Sequence, residues 1–131
     1  MVVLDASAMV EALVGGESIA PLRARLDDEE VHVPYLLEIE TVQALRRLVR
    51  VGQLSEDRAA YARDDLDALV LVLYPHRPLM ERIWDLRHTL SAYDACYVAL
   101  AEALDTPLVT CDARLARAPG HDVEIELFAP S

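Results

Sequence analysis

Short apolar runs alternate along this chain with longer segments whose apolar positions recur every three or four residues. That alternation predicts a repeated strand–helix order. Residues 2–4 (Val-Val-Leu), 31–33 (Val-His-Val), 70–74 (Val-Leu-Val-Leu-Tyr), 108–110 (Leu-Val-Thr) and 123–127 (Val-Glu-Ile-Glu-Leu) read as five strands. The first lacks any polar alternation, as a central parallel strand covered on both faces should. Between the strands the pattern predicts helices over 7–14, 18–26, 35–51, 55–69, 79–88, 91–104 and 113–118. Gly15–Gly16 and Gly52 close two of them, Ser55 caps another with Glu56 and Asp57 in its first turn, and Pro34, Pro75 and Pro78 mark strand ends. Strands and helices in this order imply an α/β sandwich: a five-stranded, largely parallel sheet between helical layers.

At 131 residues and 53% hydrophobic content, residues 1–131 read as one domain with a real core rather than a disordered chain. The formal charge is −11, from 23 acids against 12 bases, every base being arginine. This is not the basic footprint of a typical nucleic-acid binder, so RNA would need metal ions and local arginine clusters to approach. A basic protein partner fits the same charge. Cys96 and Cys111 show neither a CxxC nor a Cys/His metal pattern and read as reduced thiols of a cytoplasmic protein. The start, Met-Val-Val-Leu-Asp, has no secretory-signal pattern, and the longest apolar run, 68–74, is too short to span a bilayer.

The candidate chemistry lies in four carboxylates, each where a strand or short loop feeds a helix: Asp5, Glu40, Asp94 and Asp112. In a parallel α/β sheet the carboxyl ends of the strands converge on one crevice, so acids distant in sequence can meet there. Such a cluster is costly without a cation or shared protons, and oxygen-only ligands favour Mg²⁺ or Mn²⁺. Each acid also has a plain structural reading. Asp5 and Asp112 suit helix N-caps, with Ser7 competing for the first, and Ser91-Ala-Tyr-Asp94 matches a capping box. Glu40 shares a helical face with Gln43, Arg47 and Arg50, whereas Glu38 points nearly opposite; a solvated charged face explains that pattern as well. Arg47 and Arg50, and Arg114 with Arg117 beyond Asp112, are candidate phosphate contacts or solvated charges. The four histidines have no partner at catalytic spacing. Removing the four acids leaves 19 against 12 bases, a net of −7, so the body stays acidic.

Taken together, Val-Val-Leu-Asp5-Ala-Ser7, Pro34 leading to Glu40-Thr-Val-Gln-Ala-Leu-Arg-Arg, Ala-Tyr-Asp94-Ala-Cys-Tyr-Val-Ala-Leu-Ala-Glu and Leu-Val-Thr110-Cys-Asp112 resemble the PIN-domain ribonucleases. The resemblance is to the VapC-type toxins of toxin–antitoxin pairs in particular, and it covers essentially the whole chain. It implies an acidic quartet of Asp5, Glu40, Asp94 and Asp112, with Ser7 and Thr110 in support. Asp5, Asp94 and Asp112 would bind Mg²⁺ or Mn²⁺, and Glu40 would bind through water or orient the nucleophile. Gln43 stands where the family often has Asn. The resemblance further implies RNA hydrolysis to 5′-phosphate and 3′-hydroxyl ends, a homodimer and a basic-tailed antitoxin partner; the negative charge of the crevice separately suggests that an arginine of such a partner competes there.

Two other phosphate enzymes or sensors with an early-strand Asp are poor fits. A haloacid-dehalogenase phosphatase needs an acid where Ser7 stands, and both it and a receiver domain need a lysine that this chain lacks. A non-catalytic PIN-like dimeric binding module is the alternative to an enzyme.

Overall fold

The computed structural model describes residues 1–129. Five parallel strands form one sheet: β1 (Val2–Leu4), β2 (Val31–Pro34), β3 (Leu71–Tyr74), β4 (Leu108–Thr110) and β5 (Ile125–Leu127), in the order β3-β2-β1-β4-β5. The register pairs Val3 with His32 on one side of β1 and with Leu108 on the other. β1 and β4 are buried at every residue, whereas the edge strands β3 and β5 are half open. Continuous apolar strands therefore occupy the centre, as two-sided burial requires.

Seven α-helices connect the strands: α1 (Ala6–Val14), α2 (Ala20–Leu26), α3 (Leu36–Arg50), α4 (Glu56–Ala68), α5 (Met80–Asp85), α6 (Ala92–Leu104) and α7 (Ala113–Arg117). α1 packs against α3 and α4, while α6 lies across β1, β2 and β4 with α5 beside it. Residues 95–101 of α6 are all buried, which explains why this helix is apolar around its whole circumference. Leu4, Met9, Leu37, Tyr97, Leu100 and Leu108 are among the large side chains of the core. No helix among the described residues is long and apolar enough to cross a membrane.

Several boundaries differ from the sequence pattern for local reasons. The segment expected as one helix over 18–26 is a 3₁₀ turn at Glu17–Ile19 followed by α2, whose first turn holds Pro21. Proline suits that position because its missing N–H has no helical acceptor there. The helix expected over 79–88 splits likewise into a 3₁₀ turn at Arg77–Leu79 and α5, which stops at Asp85. Beyond it the backbone runs through turns, with the Trp84 carbonyl accepting from both the Arg87 N–H and its guanidinium. The last strand begins at Ile125, not at 123, because the Val123 N–H turns back to His121 Nδ1. Pro34 marks the end of β2 as expected, being itself its last residue.

The chain order creates one topological switch. From β1 the chain moves outward through β2 to β3, then crosses back to β4 on the opposite side of β1. The carboxyl ends of β1 and β4 thus face a crevice that no connection fills, the usual ligand position in such sheets. Asp5 leaves β1 and Asp112 follows β4 at this point.

Candidate active site

Asp5 caps α1, its Oδ1 accepting the Ala8 N–H at 2.9 Å. The same oxygen accepts from Ser7 Oγ at 2.7 Å, and Oδ2 accepts from Thr110 Oγ1 at 2.6 Å. Ser7 Oγ in turn accepts the Cys111 N–H, and Thr110 Oγ1 accepts the Asp112 N–H. These bonds lock the end of β1 to the end of β4 and fix Asp5 from both sides. The side chain is 4% exposed. Burial holds its pKa above the ordinary carboxylate value; the Thr110, Ala8 and Ser7 hydrogen bonds oppose that rise, and Asp94 adds to it.

Asp94 sits in the first turn of α6, its N–H capped by Ser91 Oγ. Burial and then the Asp112 charge raise its pKa, against Arg114 and Ser91. Glu40, half-buried on α3, accepts from Tyr97 Oη at 2.6 Å. Its pKa is also raised, by burial first and then by Asp94 and Asp5, with the Tyr97 bond opposing. Asp112 caps α7 through the Arg114 N–H and touches the Arg114 guanidinium at 3.4 Å. Each of the four acids is therefore within electrostatic reach of another. Among the described residues none of Asp5, Glu40 and Asp94 has a cation in an ion pair.

A crevice of about 760 Å³ is lined by Ser7, Glu40, Gln43, Arg47, Tyr93, Cys111 and Asp112 among others; of the four acids, Glu40 and Asp112 are in its wall and Asp5 and Asp94 are not. Glu38 is not in its wall, which agrees with the helix phase. Arg50, expected beside Arg47, lines instead a separate groove between α3 and α4 with Arg46 and Arg63. Ten residues carry Arg50 about 15 Å along the helix axis from Glu40, enough to take that side chain past the crevice. Arg114 is exposed at the Asp112 rim.

The donor set is hard oxygen throughout. Cys111 also lines the crevice, but burial pushes its thiol up to about 12, so it offers no thiolate near neutral pH. Oxygen donors with excess negative charge suit Mg²⁺ or Mn²⁺. Among the described residues no three His, Cys, Asp or Glu side chains form a ready-made ligand cluster. The charges of Asp5, Glu40, Asp94 and Asp112 act on one another, and an ion bound among them could retain several waters.

Two site features escape a reading of the sequence. Tyr97 holds Glu40 from another helix, and His76 Nε2 accepts the Leu36 N–H at 2.8 Å, capping α3 from beyond β3. Both depend on elements meeting across the fold. The only local signal for Tyr97 is its place one turn after Asp94 on α6.

The PIN domain family model matches residues 2–121. This chain belongs to the PIN-domain family, among its VapC-type members. It is 50% identical over 127 residues to Ribonuclease VapC1 of Mycobacterium tuberculosis, spanning 95% of this chain and 96% of that protein. Ribonuclease VapC12 of the same species is 40% identical over 129 residues, covering 98% of this chain and all of that protein. Among solved structures, VapBC2 from Rickettsia felis bound to a DNA fragment from their promoter superposes with a TM-score of 0.67. That match has 15% identity and covers 96% of this chain and 98% of the other, so it speaks for the PIN fold.

Proposed function

We propose that this chain is a divalent-metal-dependent ribonuclease, the toxin component of a type II toxin–antitoxin system, working in the cytoplasm as a single PIN domain over residues 1–131. Its relatives VapC1 and VapC12 carry the name ribonuclease. The observation that carries the metal-dependent reading is Asp5: a buried carboxylate, coupled to Asp94, with only neutral hydrogen-bond donors around it.

Asp5, Asp94 and Asp112 are the proposed holders of Mg²⁺, with Mn²⁺ as a substitute. The chemistry such an ion supplies is charge neutralisation at the scissile phosphate and a water that ionises near neutral pH. Asp5 is fixed by Ser7 and Thr110, so its carboxylate needs little reorganisation to receive charge. Glu40 reaches the crevice from α3 and would orient the attacking water or accept its proton. Water then adds to phosphorus in line, the P–O3′ bond breaks, and the products carry 5′-phosphate and 3′-hydroxyl ends. Arg47 at the crevice wall and Arg114 at its rim are the proposed phosphate contacts, offsetting the charge of the body.

The proposed partners are RNA, a basic-tailed antitoxin and a second copy of this chain. A VapBC pair among the structural neighbours supports the antitoxin. For the homodimer, Tyr35, Ile39 and Val42 place a largely exposed apolar stripe along α3. The test is direct: strip the purified chain with EDTA, add RNA, and restore Mg²⁺ or Mn²⁺. Cleavage should stop on chelation and return with the ion. Cleavage that proceeds unchanged in EDTA contradicts the proposal.

A further inference from the structure

We propose that Tyr97 is a positioning residue that holds Glu40 one-armed, tying one carboxylate oxygen and leaving the other to the crevice; this rests on the reading of Glu40 given above. Tyr97 is 1% exposed and lies on α6, one turn beyond Asp94. Its hydroxyl donates to Glu40 Oε1 at 2.6 Å, across 57 residues of sequence. Burial, and then the Glu40 carboxylate itself, push the phenol's pKa up, so it remains a donor. Glu40 Oε2 receives no hydrogen bond or ion pair among the described residues, while the side chain lines the crevice.

The bond also joins two helices whose main packing lies elsewhere. The body of α3 packs on α1 and α4, that of α6 on α5 and the sheet, and both touch β2. Among the described residues this is the one hydrogen bond between side chains of α3 and α6. With the backbones placed by this packing, the bond fixes the Glu40 carboxylate itself. A free glutamate has three rotatable side-chain bonds and would sample many positions; anchoring one oxygen removes most of that freedom before substrate arrives. The anchor acts on the reacting geometry rather than on RNA affinity, because a phenol at 1% exposure has no surface to offer RNA.

The test compares the full chain with Tyr97→Phe, Glu40→Gln and the double variant. Single-turnover and steady-state cleavage of one defined RNA oligonucleotide are measured in Mg²⁺, with melting temperatures for each protein. Tyr97→Phe should lower kcat about tenfold, change KM less than about twofold, and melt within a few degrees of the parent. In the Glu40→Gln background the same change should add no further loss, since its effect passes through Glu40. If Tyr97→Phe melts early, the rates are measured well below its melting temperature, where the folded protein should show the same kcat loss. Wild-type kcat in Tyr97→Phe, or an equal loss with and without Glu40, would overturn the positioning role while leaving the ribonuclease reading intact. Wild-type rates in Glu40→Gln would overturn the assignment of Glu40, and this inference with it.

Discussion

A carboxylate at 4% exposure that receives three hydrogen bonds, none from a cation, sits in a net unfavourable place when ionised. Asp5 is both an N-cap and a buried acid, and the cap explains only one of its oxygens. The sequence offers these roles as alternatives; the structure combines them, because the capping geometry aims the second oxygen at Thr110. Asp94 and Asp112 follow the same pattern, one beside a cap and one itself a cap. Such positions are legible as strand-to-helix acids, but their mutual repulsion depends on β1 and β4 lying side by side. The repulsion has a pH signature. Burial and the Asp112 charge raise the pKa of Asp94 in the folded state. Its ionisation therefore costs folding stability, which is highest below the ordinary carboxylate range and falls as pH rises through the raised value. In EDTA at low salt, Asp94→Asn should melt a few degrees above the parent at pH 7. The difference should shrink as pH falls through the raised value and the parent becomes protonated too. A variant that melts lower at pH 7 by as much as at pH 4 would contradict this charge account.

At the scale of elements, α3 decides which glutamate reaches the crevice. Glu38 and Glu40 stand about 200° apart around the helix axis, and Gln43 and Arg47 return to the Glu40 side. The crevice wall contains Glu40, Gln43 and Arg47 but not Glu38. Glu40→Gln should thus reduce RNA cleavage far more than Glu38→Gln, with both proteins folded by circular dichroism. Equal rates for the two would mean that α3 is wrongly phased in this account. Helix periodicity was sufficient for these residues because they lie within two turns of each other. Arg50 lies too far along the axis to share the crevice, and the roles of His76 and Tyr97 depend on partners that lie on other elements. The end of the 79–88 segment was hidden because it is closed by consecutive backbone turns rather than by a breaker residue.

For the whole molecule, the alternation of apolar runs and amphipathic segments carries the sheet and its parallel strands, because burial on two faces leaves a distinct pattern. The strand order is less legible, as it follows from which side of β1 each crossover takes. That order is what creates the crevice. Charge then shapes approach: the chain carries −11, and its arginines are unevenly used. Arg25 and Arg82 are held by glutamates, and Arg23 and Arg58 by backbone carbonyls. Arg46, Arg47, Arg50 and Arg63 on α3 and α4 have no ion pair among the described residues, and Arg47 alone of these four lines the crevice. RNA reaching the four acids would need both these arginines and a divalent ion to offset the negative field. The most direct measurement is the Mg²⁺-supported rate of RNA cleavage by Asp5→Asn and by Asp94→Asn, each shown to be folded. Both substitutions remove charge and create no cavity, so each should leave the fold in place and lower the rate at least about 100-fold. Cleavage at the parent rate by either folded variant would contradict the assignment of this acidic crevice as the ribonuclease centre.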